Sequence, residues 1–120
     1  MTVRRMKTYT GATGYVYQYY FVGRREALEG SAHAPATEFI FDVTSDRKTM
    51  FAASIFIDPD AVDVWSKHRG RSMTETEQYA AAKMRLFQAF DEEENLMQSG
   101  RHLTIGSDTI EGLLSPLKLD

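Results

Sequence analysis

The chain contains no cysteine. That excludes disulfides, thiol catalysis and zinc sites built on sulfur, and it fits a reducing compartment. Long apolar runs are missing too, since none approaches the roughly 18 residues of a membrane span. The opening stretch MTVRRMKTYTGATG is basic but has no apolar block behind it, so it does not read as a secretory signal. Nor is there a large charge of either sign. A net charge of -3 over 120 residues neither recruits nor repels an anionic partner, so nucleic-acid binding would have to rest on a local patch. Gly11 and Gly14 lack the Lys-Ser/Thr that a phosphate-cradling loop requires. His33, His68 and His102 are scattered and form no metal-ligating pair on one helix face. No metal and no cofactor is therefore expected, and the location expected is cytoplasmic, away from membranes.

What is present is an ordinary globular composition, 42% hydrophobic and 26% charged, in a chain long enough for one core. Residues 1–13 read as a flexible basic arm carrying Arg4, Arg5 and Lys7, and residues 14–120 as a single domain. The stretch GYVYQYYFVGRR follows. Its strand, Tyr15 to Gly23, places Tyr15, Tyr17, Tyr19 and Phe21 on one face and Val16, Gln18, Tyr20 and Val22 on the other. A loop of small residues, EALEGSAHAPA, leads into TEFIFDV, and the turn TSDRK connects this to TMFAASIFI. The last two segments predict an antiparallel hairpin.

Asp58 and Pro59 open a short helix that Gly70 closes. Thr74 and Glu77 then form a capping box before a long helix running to about Ser99. RHLTI would add an edge strand, and the tail IEGLLSPLKLD supplies leucines to dock. Strands first and helices after them predict an α+β fold. Three or four antiparallel strands form the sheet, and a short and a long helix pack on one face.

Two constellations invite a functional reading. The rings of Tyr15, Tyr17, Tyr19 and Phe21 beside Arg24 and Arg25, with Lys67, Arg69 and Arg71 further along, have the composition of a single-strand nucleic-acid platform. Aromatic residues are also good strand formers, and the segment lacks the glycines and basic lead residue of an RNA-recognition strand. A core face or an oligomer interface is the preferred reading. On the long helix, Tyr79, Leu86, Phe87 and Phe90 form an apolar stripe, and Lys83 falls about 40° from Tyr79, inside it. This could be a ligand or catalytic pocket with a desolvated amine. The plainer reading is a lysine that snorkels, or one that pairs with Glu38 or Asp42. DEEE at 91–94 reads as a solvated helix face, and helix capping accounts for Asp58 and Asp60.

The expectation is a non-enzymatic interaction or regulatory module. It would be homodimeric through an aromatic sheet face, or bind another protein. Single-stranded nucleic-acid binding is the alternative, and a small enzyme or ligand pocket around Lys83 the second alternative.

Overall fold

The computed structural model describes residues 6–12, 14–31, 34–92, 96 and 102–117, with the backbone course alone at 28–31 and 34. The class is α+β as expected, but the sheet is larger than expected and is mixed. Its strands are β1 (Lys7–Thr10), β2 (Val16–Ser31), β3 (Ala34–Thr44), β4 (Phe51–Ile57) and β5 (Leu103–Ile105), in that spatial order. The first four run antiparallel, and β5 lies parallel to β4. The described helices are α1 (Pro59–Arg69), α2 (Glu75–Glu92) and α3 (Ile110–Leu114), the last continued by a 3-10 turn at Ser115–Leu117.

Three departures from the sequence reading have physical causes. First, the expected arm contains β1. Tyr9 stacks its ring on Phe87 at 4.5 Å and 6°, and its hydroxyl donates to Asp91 Oδ2 at 2.9 Å. The Ala12 N–H donates to Asp91 Oδ1 at 2.9 Å. These contacts hold Lys7–Thr10 against the sheet edge; Arg4 and Arg5 lie outside the described residues. Second, the small-residue loop is mostly strand, because β2 and β3 continue as a long two-stranded hairpin through 31 and 34. Small side chains do not stop a strand that has a partner across the ladder. Third, β5 joins parallel, because α1 and α2 intervene and carry the chain back across one face before it pairs.

The local signals for the helices hold. Asp58 Oδ1 accepts from the Asp60 N–H at 2.9 Å, Pro59 occupies the first turn, and Gly70 adopts φ 67° at the stop. At α2 the Glu77 N–H donates to Thr74 Oγ1 at 3.1 Å, and the Thr74 N–H donates back to Glu77 Oε1 at 2.9 Å. The β3–β4 turn is closed by Asp46, whose Oδ1 accepts from the backbone N–H groups of Lys48 and Thr49, both at 2.8 Å.

One face of the sheet carries Tyr17, Tyr19, Phe39, Phe41, Val43, Ala53, Ile55 and Ile57 into a single core. Ala61 and Trp65 of α1, Leu86 and Phe90 of α2, and Ile110 and Leu114 of α3 join it there. Val16, Tyr20, Val22, Ile40 and Phe56 point the other way and lie outside that core. A β-bulge sits between these two regimes. At Phe21/Gly23 the register of β2 slips by one, so the alternation that places Phe21 inward sends Arg24 inward and Arg25 outward.

Candidate functional site

The aromatic run of β2 is turned into the core. Tyr17 lies flat on Phe90, with centroids 4.3 Å apart at 7°, and Tyr19 meets Phe41 and Phe87 edge-on. Burial raises the pKa of both phenols. Phe21 packs on Phe41 and edge-on to Tyr79, yet it keeps 38% of its surface exposed beside the start of α2. Tyr15 stays largely in solvent, tilted against Tyr17. The faces of Tyr17 and Tyr9 are thus occupied by Phe90 and Phe87, the kind of contact a base would have to make.

The five basic residues do not converge. Arg24 pairs with Glu75, Arg25 with Glu38, Arg69 with Glu111 and Arg71 with Glu77. Arg69 and Arg71 also place their guanidinium carbons 4.4 and 4.9 Å from the centroid of buried Trp65, so they act as lids on an aromatic core residue. Lys67 is exposed in the last turn of α1.

Phe87 and Phe90 meet on α2 at 6.3 Å while Tyr79 packs on Phe21 and Phe41, and the Lys83 ammonium hangs between them, 5.7 Å from the centroids of Tyr79 and Phe87. Its pKa is lowered by burial and then by the neighbouring charge of Lys7 on β1. Glu38 and Asp42 cannot serve it, because both project from the opposite face of the sheet. There Asp42 accepts from the Tyr20 hydroxyl at 2.7 Å, and Glu38 accepts from Arg25 Nε at 2.7 Å.

That opposite face holds an arrangement the sequence reading missed. The register aligns Arg25, Glu38, Phe56 and Thr104 as one row across β2, β3, β4 and β5. Glu38 is 5% exposed. Burial pushes its pKa up, but hydrogen bonding from Arg25 and Ser54, together with the charges of Arg25 and His102, outweighs this and leaves the carboxyl below its ordinary value. His102 stacks on Phe56 at 4.4 Å and 28°. Beside this pair opens a cavity of about 310 Å³, walled by Ala36, Phe56, Asp58, His102, Thr104 and Gly106. It lies where β4 and β5 end and α1 begins. Gly23 was the one signal available, since a glycine inside a strand often marks a bulge. His102 carried none, because its partner Phe56 is 46 positions away and parallel pairing across two helices cannot be read locally.

Among the described residues no group of three or more histidine and carboxylate side chains is placed to hold a metal ion. No described helix is long and apolar enough to cross a membrane. His33 lies outside the described residues. Comparisons with protein-family models, curated proteins and solved structures find no match to this chain.

Proposed function

We propose that the protein is a non-enzymatic, cytoplasmic interaction module that pairs with a second copy of itself through the outer face of its sheet. The observation that carries this is the distribution of apolar surface. The described helices bury one face, while Val16 and Val22 stand 47% and 39% exposed on the other, beside half-buried Tyr20 and Ile40. On that face Arg25 pairs with Glu38, and Asp42 keeps its negative charge while accepting a hydrogen bond from the Tyr20 hydroxyl. In a two-fold interface each group meets its own copy or its symmetry partner, so the Arg25–Glu38 pair adds no net charge there, and Asp42 is tolerated where the two copies hold it off the two-fold axis. Absence of cysteine supports the reducing location. Single-strand nucleic-acid binding is less well supported, because Tyr17 and Tyr19 are buried and four of the arginines face glutamates.

A stable pair needs about 800 Å² from each partner. Light scattering at tens of micromolar should give about twice the 13.6 kDa chain mass. Val22→Lys should reduce this to the chain mass while the chain stays folded, because Val22 lies outside the core and the variant loses only the stabilisation that pairing lends. A wild-type monomer at about 100 μM would end the proposal.

A further inference from the structure

The cavity beside the Phe56–His102 stack is separate from the Val16–Val22 patch. It lies beyond Glu38 at the β5 edge of the sheet, and its wall chemistry is selective. Its volume, about 310 Å³, sits at the lower end of the range of small-molecule sites, about 300–1,000 Å³. Two aromatic rings and Ala36 give it an apolar lining, and Thr104 and Asp58 add a hydroxyl and a carboxylate.

Asp58 is held firmly. Its N–H donates to the Ile105 carbonyl at 3.0 Å, and its Oδ1 accepts from the Asp60 N–H at 2.9 Å. A carboxylate has two oxygens and about four acceptor positions, so capping α1 leaves acceptor capacity. A second acid stands close. A Cβ built on Gly106 would come 2.9 Å from Asp108 Oδ1, so glycine at this position lets that carboxylate approach the rim. Among the described residues, Arg25 on the outer face is committed to Glu38, and Arg85 of α2 spends its Nε on the Thr104 carbonyl at 3.0 Å.

Phosphate- or carboxylate-bearing ligands would therefore meet like charge here. A cation would meet the carboxylates and also the negative faces of aromatic rings, which attract ammonium groups. We propose that this cavity binds a small organic cation, its ammonium held by Asp58 and its apolar body lying along the Phe56 and His102 rings.

The test uses three probes that differ in the sign of one group: 2-phenylethylammonium, 2-phenylethanol and phenylacetate. Each is titrated into the full chain at about pH 7.5, with the backbone amide resonances of Thr104, Ile105 and Gly106 as readout. The ammonium should shift those amides saturably, with an affinity about tenfold above the alcohol, and phenylacetate should bind most weakly. Asp58→Asn retains a good helix cap and removes the charge, so it should lower ammonium affinity to that of the alcohol. The proposal fails if the ammonium gives no saturable shift by about 10 mM, a weak limit even for a fragment-sized ligand. It also fails if the alcohol or phenylacetate binds as tightly, or if Asp58→Asn binds the ammonium as the wild type does. Should the variant fold poorly, the three probes on the wild-type chain still decide the matter.

Discussion

Glu77 joins three tasks in one carboxylate. It closes the capping box of α2 through the Thr74 N–H, and it receives both arms of Arg71, Nη1 to Oε1 at 2.8 Å and Nη2 to Oε2 at 2.7 Å. Arg71 in turn lies over Trp65, so the pair ties the start of α2 to the core residue of α1. The Arg71 hydrogen bonds draw the Glu77 carboxyl down from an ordinary 4.5 to about 2, against the upward push of burial and with help from Thr74. At about 1.4 kcal/mol per pH unit, that fall corresponds to about 3 kcal/mol of stability.

The Glu77 side chain is 11% exposed but that of Arg71 is 41% exposed, so screening trims the figure toward about 2 kcal/mol. Because the folded-state value lies below the unfolded one, this contribution is complete above about pH 4.5 and is lost as pH falls toward about 2. Glu77→Gln keeps an acceptor for the capping box and removes the charge. Urea melts at pH 7 should show the variant about 2 kcal/mol less stable, and the gap should shrink to about half by pH 3. Glu77→Ala, which also loses the cap, should cost about 1 kcal/mol more. A Gln variant within about 0.5 kcal/mol of wild type at pH 7, or a gap that does not narrow in acid, would refute the reasoning.

Lys83→Met should leave stability unchanged or raise it by up to about 1 kcal/mol, since the stem volume is kept and a poorly solvated charge is removed. No carboxylate among the described residues pairs with Lys83, so a thermal midpoint that falls by about 10 °C would contradict this account. Gly11→Ala should cost about 1–3 kcal/mol, because its Cβ would lie 2.5 Å from the backbone carbonyl oxygen of Phe90 and neither backbone can yield freely. A melt equal to wild type would show that the β1–α2 approach is looser than described. Asp91→Ala should release β1 while sparing the centre of the sheet. Amide exchange at Lys7 and Tyr9, whose N–H groups face β2, should then quicken relative to Phe41 and Ile55, and unchanged protection would mean that Tyr9 stacking alone holds the strand.

The sequence by itself determined the features that depend on neighbours a few residues apart. The Asp58 cap, the Gly70 stop and the Thr74–Glu77 box need only one helical turn, and all three formed as read. Alternation along TEFIFDV and TMFAASIFI gave the β3–β4 hairpin, because period-two burial and a five-residue turn are also local. The stripe of Tyr79, Phe87 and Phe90 was legible from helical spacing, as was the exposure of Lys83 to ring faces.

Tertiary structure decided the rest. Whether Tyr17 and Tyr19 face solvent or core depended on which side α2 covered, and alternation is symmetric between the two faces. The slip at Gly23 decided that Arg24 faces the helices and Arg25 the outer face rather than the reverse, since one extra residue inverts every side chain beyond it. The strand character of Lys7–Thr10 came from Asp91 and Phe87, about 80 residues away in sequence, and not from the propensity of a short basic segment. The parallel return of β5 brought His102 onto Phe56 and opened the cavity beside Asp58. No local pattern encodes such a meeting, because it is fixed by how two helices pack before the last strand arrives.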